Sequence, residues 1–511
     1  MAASKRGAWG SKIGFILAAS GSAIGLGNIV FFGANAYRFG AGAFYLPYFL
    51  ALIVIGIPLM IVELGLGRMT GKAFPLAMRE IGGKRGEYFG WFGVLNAGVI
   101  TMYYITILGW VVGMLLRSIG PLWTPTDVQA FGLAAGTLSN SMSHFFDMIS
   151  RYDALAFVVL VWMLNIFTVL WGTKSIETVV KVFVPAMWLF MIVLIFRGLT
   201  LDNGLEGVYL LFTPDWAVMK SSEVWLGAIS QIFFTLSLGF GIMATYASYL
   251  PKKNDDVQSA LTISLMNCGF EYLAGVAIFS LLFAFAIVPK ASTLGMMFFV
   301  IPEGLAQMPF WVRTFGVLFF VLLLTAGLTS AVSLVETVVS SIIDAFGFTR
   351  KRVVVAVAFL GAIGSISFAM PQVIDKGLDN NGTLGLTLLD MFDHWAFSYG
   401  LLLGGLIECI FLGWLFDTDK LIAHINRHSS IKLGAWFKVL LRYVLPSLII
   451  LVVGSGIYKE ITGGLYGHDF KAGPYQGFMH WSVVICWLTF TLGGAGVFMF
   501  FRNRREKGGA A

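Results

Sequence analysis

Gly21-Ser22-Ala23-Ile24-Gly25-Leu26-Gly27-Asn28 lies in the middle of the first apolar segment, residues 11–36, and its composition does not suit a continuous helix. Glycines at 21, 25 and 27 lower helix preference and permit positive φ. The segment is long enough to be two half-helices joined by an unwound stretch. A second segment, residues 223–250, repeats the device as Phe233-Phe234-Thr235-Leu236-Ser237-Leu238-Gly239-Phe240-Gly241. A single Gly-X-Gly in an apolar helix is commonly a packing device. Two of them, matched in position and flanked by Asn, Ser and Thr, point to paired broken helices around a central ligand site. Unwinding frees carbonyls for a cation, while a half-helix N-terminus offers N–H groups and a positive dipole end to an anion. Such backbone is tolerated at membrane depth only around a cavity or a bound ligand.

The rest of the chain makes lipid the solvent. Of 511 residues, 58% are hydrophobic and 12% charged, and mean hydropathy is +0.83. A soluble chain carries about twice that charge, so a soluble enzyme is excluded. Apolar runs at 43–62, 153–171, 272–288, 315–335 and 353–370 approach or exceed the roughly 20 residues needed to cross hydrocarbon. We read twelve spans, near 11–36, 42–68, 88–117, 153–172, 177–197, 223–250, 258–288, 312–346, 351–370, 386–416, 434–456 and 477–501. All should be helices, because lipid-facing backbone must satisfy its own hydrogen bonds. The first segment is not a cleaved signal, being too long and lacking a small-residue cleavage site.

Charge orients the bundle. Twenty-four Lys and Arg residues fall on the side of the N- and C-terminal segments and ten on the other, which places both termini in the cytoplasm. The same distribution accounts for the basic residues without nucleic acid. Residues 118–152 and 198–222 read as outside loops, and 289–311, with Pro289, Pro302 and Pro309, as a re-entrant or surface-packed loop over the outer mouth. Cys268, Cys409 and Cys486 lie inside spans and read as small core hydrophobes. His144, His394, His424, His428, His468 and His480 show no metal-ligand spacing.

On these residues the chain resembles the neurotransmitter:sodium symporter family, specifically its bacterial hydrophobic amino-acid transporters. The resemblance spans nearly the whole sequence. It is strongest in the first span, in Gly56-Ile57-Pro58-Leu59-Met60 with Glu63, in Gln231 through Tyr249, in the Asn267/Glu271 helix and in Thr325-Ala326-Gly327-Leu328-Thr329-Ser330. It implies an all-α polytopic fold with two inverted five-helix repeats, residues 1–197 and 223–416. A 198–222 extracellular loop joins them, and helices eleven and twelve with a tail occupy 417–511. Broken helices of this kind in the leucine transporter are an established example of the architecture.

The resemblance also assigns ligands. A first sodium ion would be held by Ala23, Asn28, Thr235 and Asn267 with the substrate carboxylate, and a second by Gly21, Ile24, Ala326, Thr329 and Ser330. Oxygen-only sets of this type suit a hard cation. Glu271 would stand in for chloride, so no chloride requirement is expected, and Glu63 would accept hydrogen bonds from loose backbone. Gly25 leaves room for a substrate carboxylate, which would meet Tyr104 and the N–H groups of Leu26 and Gly27. The ammonium would meet carbonyls near Ala23, Phe234 and Thr235, with Ser237. Ser22, Ile100, Phe240, Ser330 and Leu334 would complete the lining. Arg6 would pair with Asp344 at the inner gate, with Trp9, Ser248 and Tyr249 closing around them. The outer gate departs from the family pattern: Phe31 stands where an arginine would bridge to Asp393. An apolar lid of Phe31 with Phe240 and Tyr104 is favoured over a bridge from Arg38, two turns away.

The expected function is sodium-coupled symport of a small zwitterion, most simply a hydrophobic L-amino acid, by alternating access in an inner or plasma membrane. Alternatives are a betaine or other atypical zwitterion, or a channel or structural membrane protein. The partners expected are the substrate and the bilayer, with the protein a monomer or weak dimer and not an enzyme.

Overall fold

The computed structural model describes residues 7–124, 128–133, 136–290 and 292–508. Their backbone is helical, broken only by turns and two isolated β-bridges among the described residues. The first span is split into α1 (Lys12–Ala23) and α2 (Gly27–Arg38), bent by 55°. Helices α3 (Gly42–Thr70) and α4 (Phe74–Ser118) follow, α4 being kinked at Gly83, whose φ is 60° and ψ −145°. The outer helix α5 (Asn140–Ile149) meets α6 (Asp153–Val169) at 81°, and α7 (Thr173–Leu199) closes the first half. After α8 (Gly204–Phe212) the second broken span comprises α9 (Ser222–Thr235) and α10 (Ile242–Ala247). The chain continues through α11 (Asp256–Ala284), the short apolar α12 (Thr293–Ala306), α13 (Val312–Phe346), α14 (Arg350–Phe368) and α15 (Leu384–Leu415). It ends with α16 (Thr418–Asn426), α17 (Ala435–Gly463) and α18 (Met479–Glu506).

Among the described residues nine helices are long and apolar enough to cross a membrane, or eleven if each bent pair is one span. The span at 223–250 escapes that count because its halves have only 14 and 6 residues.

The two breaks use glycine differently. In the second, Ser237, Gly239 and Gly241 take φ of 54°, 79° and 71°, and a Cβ on Gly239 would stand 2.5 Å from the Leu401 carbonyl oxygen. In the first, the turn is made at Ile24, whose ψ is 97°. Gly25 and Gly27 are not among the positive-φ residues, which corrects the expectation that left-handed backbone breaks this span. These two glycines matter because they lack a side chain.

Two further expectations are corrected. The stretches 118–152, 198–222 and 289–311 contain helices α5, α8 and α12: α5 buries Phe145 and Phe146, and Phe145 stacks on Phe298 of α12 at 4.5 Å. Cys268 and Cys409 are buried, but Cys486 is exposed on α18 and is no core residue. Helices α4 and α13 pack along much of their lengths, with α1 against both α7 and α11. That arrangement brings Tyr104, Ser330 and the two breaks to one level.

Candidate ion and substrate site

The break in α1–α2 puts Asn28 one turn beyond Ile24, where its side chain closes the gap. Asn28 Oδ1 accepts the Gly25 N–H at 2.8 Å, and its amide donates to the Thr235 hydroxyl at 3.0 Å. Asn267 of α11 reaches the same point. Its Oδ1 accepts the Asn28 amide at 2.8 Å and lies 3.2 Å from the Ala23 carbonyl oxygen and 3.1 Å from that of Thr235, while its own amide donates to the Thr235 hydroxyl at 2.8 Å. The four residues expected around the first sodium thus converge within hydrogen-bond distance. The Thr235 hydroxyl donates to Glu271 at 2.6 Å, which leaves its oxygen lone pairs turned toward the converging amides. Glu271 is fully buried and also accepts from Gln231 at 2.9 Å and from Tyr48. Asn35 in turn donates to Gln231 at 2.9 Å. A carboxylate so placed supplies the charge that a buried cation needs.

The five residues expected around the second sodium are also neighbours. Ser330 donates to the Ser22 carbonyl at 2.9 Å, with the Ile24 and Ala326 carbonyls at 3.5 and 3.4 Å. Thr329 donates to the Ala326 carbonyl at 2.8 Å, and its Cβ is 3.4 Å from where a Cβ on Gly21 would lie. Every potential ligand in both clusters is an oxygen or an amide, so the residues present fit a hard alkali cation.

Between the clusters lies a cavity of about 560 Å³. Of the residues expected to line it, Ser22, Ala23, Gly25, Gly27, Ile100, Tyr104, Phe234, Thr235, Ser237, Phe240, Ser330 and Leu334 all do. Leu26, also expected there, is not among the lining residues; its N–H donates to the Tyr104 hydroxyl at 3.2 Å. A Cβ on Gly25 would stand 2.8 Å from Ser330 Oγ and 2.9 Å from Tyr104 Oη. Glycine therefore keeps open a space flanked by the Ser330 and Tyr104 hydroxyls, which is chemistry for a carboxylate. Glu63 accepts the Gly239 N–H at 2.8 Å behind the second break.

Sequence reasoning missed Ser333 and Phe397. The Ser22 hydroxyl donates to Ser333 at 2.6 Å, and Phe397 stacks on Phe234 at 4.0 Å with planes 12° apart. Phe31 packs on Phe234 at 5.9 Å. Phe31, Phe234 and Phe397 thus form one aromatic row at the cavity, with Phe240 and Tyr104 also in its wall. Arg38 lies over the Phe39 ring, 5.2 Å from its centroid, and lines a separate outer cavity with Glu223, His394 and Lys459. Among the described residues Tyr103, Asp390 and Tyr466 neighbour Asp393.

At the end of the bundle where α1 begins, Trp9 Nε1 donates to the Tyr246 carbonyl at 2.8 Å and its ring packs edge-on against Tyr249. Glu177 of α7 accepts the Gly10 N–H and the Ser11 hydroxyl, each at 2.7 Å. Asp344 accepts the Ala73 N–H at 2.7 Å, and Ser248 donates to the Thr245 carbonyl at 2.6 Å. Arg6 lies outside the described residues. Two residues overlooked in the sequence stand here: Glu336 accepts from the Tyr249 hydroxyl at 2.8 Å and pairs with Arg350. Arg350 also donates to the Val169 carbonyl at 2.6 Å. A lone acid in an apolar span was the available signal for Glu336.

Comparison with known proteins agrees with this geometry. Residues 6–129 and 129–502 match the profile of the Sodium:neurotransmitter symporter family. An uncharacterized sodium-dependent transporter of Methanocaldococcus jannaschii is 40% identical over 472 residues, 91% of this chain and 93% of the relative. The sodium-dependent serotonin transporter of Drosophila melanogaster is 29% identical, over 90% of this chain and 78% of its own. The crystal structure of MhsT in complex with L-phenylalanine superposes with a TM-score of 0.75 and 32% identity, covering 88% of this chain and 99% of that one. The fold is thus a polytopic 5+5 inverted repeat, and the activity is sodium-coupled, chloride-independent transport of a small substrate by alternating access, not enzymatic turnover. The chain belongs to the sodium:neurotransmitter symporter family.

Proposed function

We propose that the protein carries a hydrophobic L-amino acid inward together with sodium bound at two sites. The observation that carries this reading is the hydroxyl-flanked space at Gly25, opening onto a cavity walled by Ile100, Phe234, Phe240 and Leu334. The carboxylate would sit in that space beside the first sodium, which would be held by Ala23, Asn28, Thr235 and Asn267. Ion and substrate would then raise each other's affinity by the same factor. The second sodium would lie among Gly21, Ile24, Ala326, Thr329 and Ser330, tying α1 to α13. The halves 1–197 and 223–416 would rock as inverted repeats beside 417–511, with both termini in the cytoplasm.

A second reading, a betaine, draws support from the Phe31–Phe234–Phe397 row, since aromatic faces attract a quaternary ammonium. Thermal unfolding of the purified protein with each amino acid and betaine, in sodium against potassium, tests both. Stabilisation by apolar amino acids in sodium alone is expected. Equal response in potassium would end the sodium reading, and response to betaines alone would end the amino-acid one.

A further inference from the structure

Ser22, in the last turn of α1, and Ser333 of α13 are buried, and both line the central cavity. The Ser22 hydroxyl donates to Ser333 Oγ at 2.6 Å, and Ser333 donates onward to the Ser330 carbonyl at 2.7 Å. Both hydroxyl protons are therefore in use. Ser330 and Ser237 donate to the Ser22 carbonyl at 2.9 and 3.2 Å, which pins Ser22 to α13 and to the second break. Among the described residues no group donates to Ser22 Oγ, so an acceptor with free lone pairs remains at the cavity wall. Ile100, Phe240, Ile242 and Leu334 line the same cavity with carbon.

A hydroxyl oxygen accepts as well as donates, and covering an unused acceptor with carbon costs free energy that a donor on the substrate restores. The position of the pair limits which donor can reach it. Ser333 is one turn along α13 from Ser330, about 5 Å, and Ser330 flanks the space at Gly25 where the carboxylate is proposed to lie. The donor must therefore stand close behind the substrate Cβ. The indole N–H of tryptophan does, on the pyrrole ring that joins Cβ. The phenol O–H of tyrosine stands at the far end of its ring. Serine or threonine would leave the faces of Phe31, Phe234 and Phe397 uncovered, and leucine and phenylalanine offer no side-chain donor. Resting on the amino-acid reading above, we propose that the preferred substrate is tryptophan, its indole N–H donating to Ser22 Oγ. Ser333 takes the Ser22 proton and so keeps that oxygen an acceptor. A site built around such a hydrogen bond rejects analogues that lack the donor, which makes Ser22 a specificity-determining residue.

Calorimetric titration of the purified full chain in sodium tests this with L-tryptophan, L-leucine and L-benzothienylalanine, in which sulfur replaces the indole N–H at nearly the same shape. Wild type should bind tryptophan about tenfold more tightly than benzothienylalanine. In Ser22→Ala that ratio should fall to about one, whatever the variant does to overall affinity. Equal wild-type affinity for the two would overturn the indole contact and leave the amino-acid reading standing. A ratio that survives in Ser22→Ala would overturn it too, since the hydroxyl would then serve only the ammonium or the contact between helices. If Ser22→Ala does not fold, Ser22→Cys, nearly isosteric and a weak acceptor, gives the same two outcomes. No binding of any of the three in sodium would instead overturn the amino-acid reading itself.

Discussion

Replacing Gly25 by alanine adds one methyl group at the point where the substrate carboxylate is proposed to lie. That methyl would stand 2.8 Å from Ser330 Oγ and 2.9 Å from Tyr104 Oη, both inside the 3.4 Å at which ordinary contact begins. Either a hydroxyl moves away or the carboxylate is held off it. Losing one hydrogen bond to a charged group costs about 1.5–3 kcal/mol, which is about ten- to a hundredfold in Kd. Strain in the substrate-free protein should be smaller, because the methyl faces a cavity and the hydroxyl groups can turn into it. Binding of a radiolabelled amino acid in sodium, set beside thermal unfolding without substrate, separates the two effects. The expected result is a large rise in Kd with a small change in Tm. Wild-type affinity in both Gly25→Ala and Ser330→Ala would refute the carboxylate cradle.

Other perturbations probe the gates and two acidic groups. Phe31→Arg puts a cation in the cavity wall beside Phe234, so the substrate profile in liposomes should change more than the sodium dependence; an unchanged profile would count against the lid. Glu336 is fully buried against Arg350, and removing one partner of such a pair costs about 3–5 kcal/mol. The double variant Glu336→Leu/Arg350→Leu should therefore cost less than the two single variants added together; strict additivity in unfolding experiments would show that the pair is not coupled. Burial alone would raise the Asp255 carboxyl, but N–H donors from Gln258 at 2.9 Å and Ser430 at 2.7 Å hold it below its ordinary value. A depressed carboxylate stabilises above its unfolded value and loses that contribution as the pH falls through the folded one. Thermal stability should accordingly decline below about pH 4, and this acid limb should be shallower in Asp255→Asn; identical limbs would refute the assignment.

Much of the site was legible from chain order. Asn28, Thr235, Asn267 and the Thr329–Ser330 pair are short polar residues in apolar spans, and the structure brings each to a break. The aromatic row was only partly legible. Phe31 stood out because it replaces an arginine, but Phe397 is one of 46 phenylalanines in the chain and carries no local mark. Ser333 was equally hidden, since its value lies in meeting Ser22, 311 positions away. Glu336 did carry a mark, a lone acid in an apolar run, which points to a site without naming Tyr249 and Arg350 as its partners.

Local composition alone determined that this chain dissolves in lipid, that its backbone must be helical, and that two of its helices come apart halfway. Those properties follow from transfer free energies and hydrogen-bond satisfaction within one segment. Tertiary structure decided which groups face one another: Glu63 with the Gly239 N–H, Phe234 between Phe31 and Phe397, Glu336 with Arg350. Helical periodicity says which face a residue occupies, but not which neighbour packs there or at what height. That register is set by the crossing and close approach of helices far apart in sequence, as where Gly404 meets Gly239.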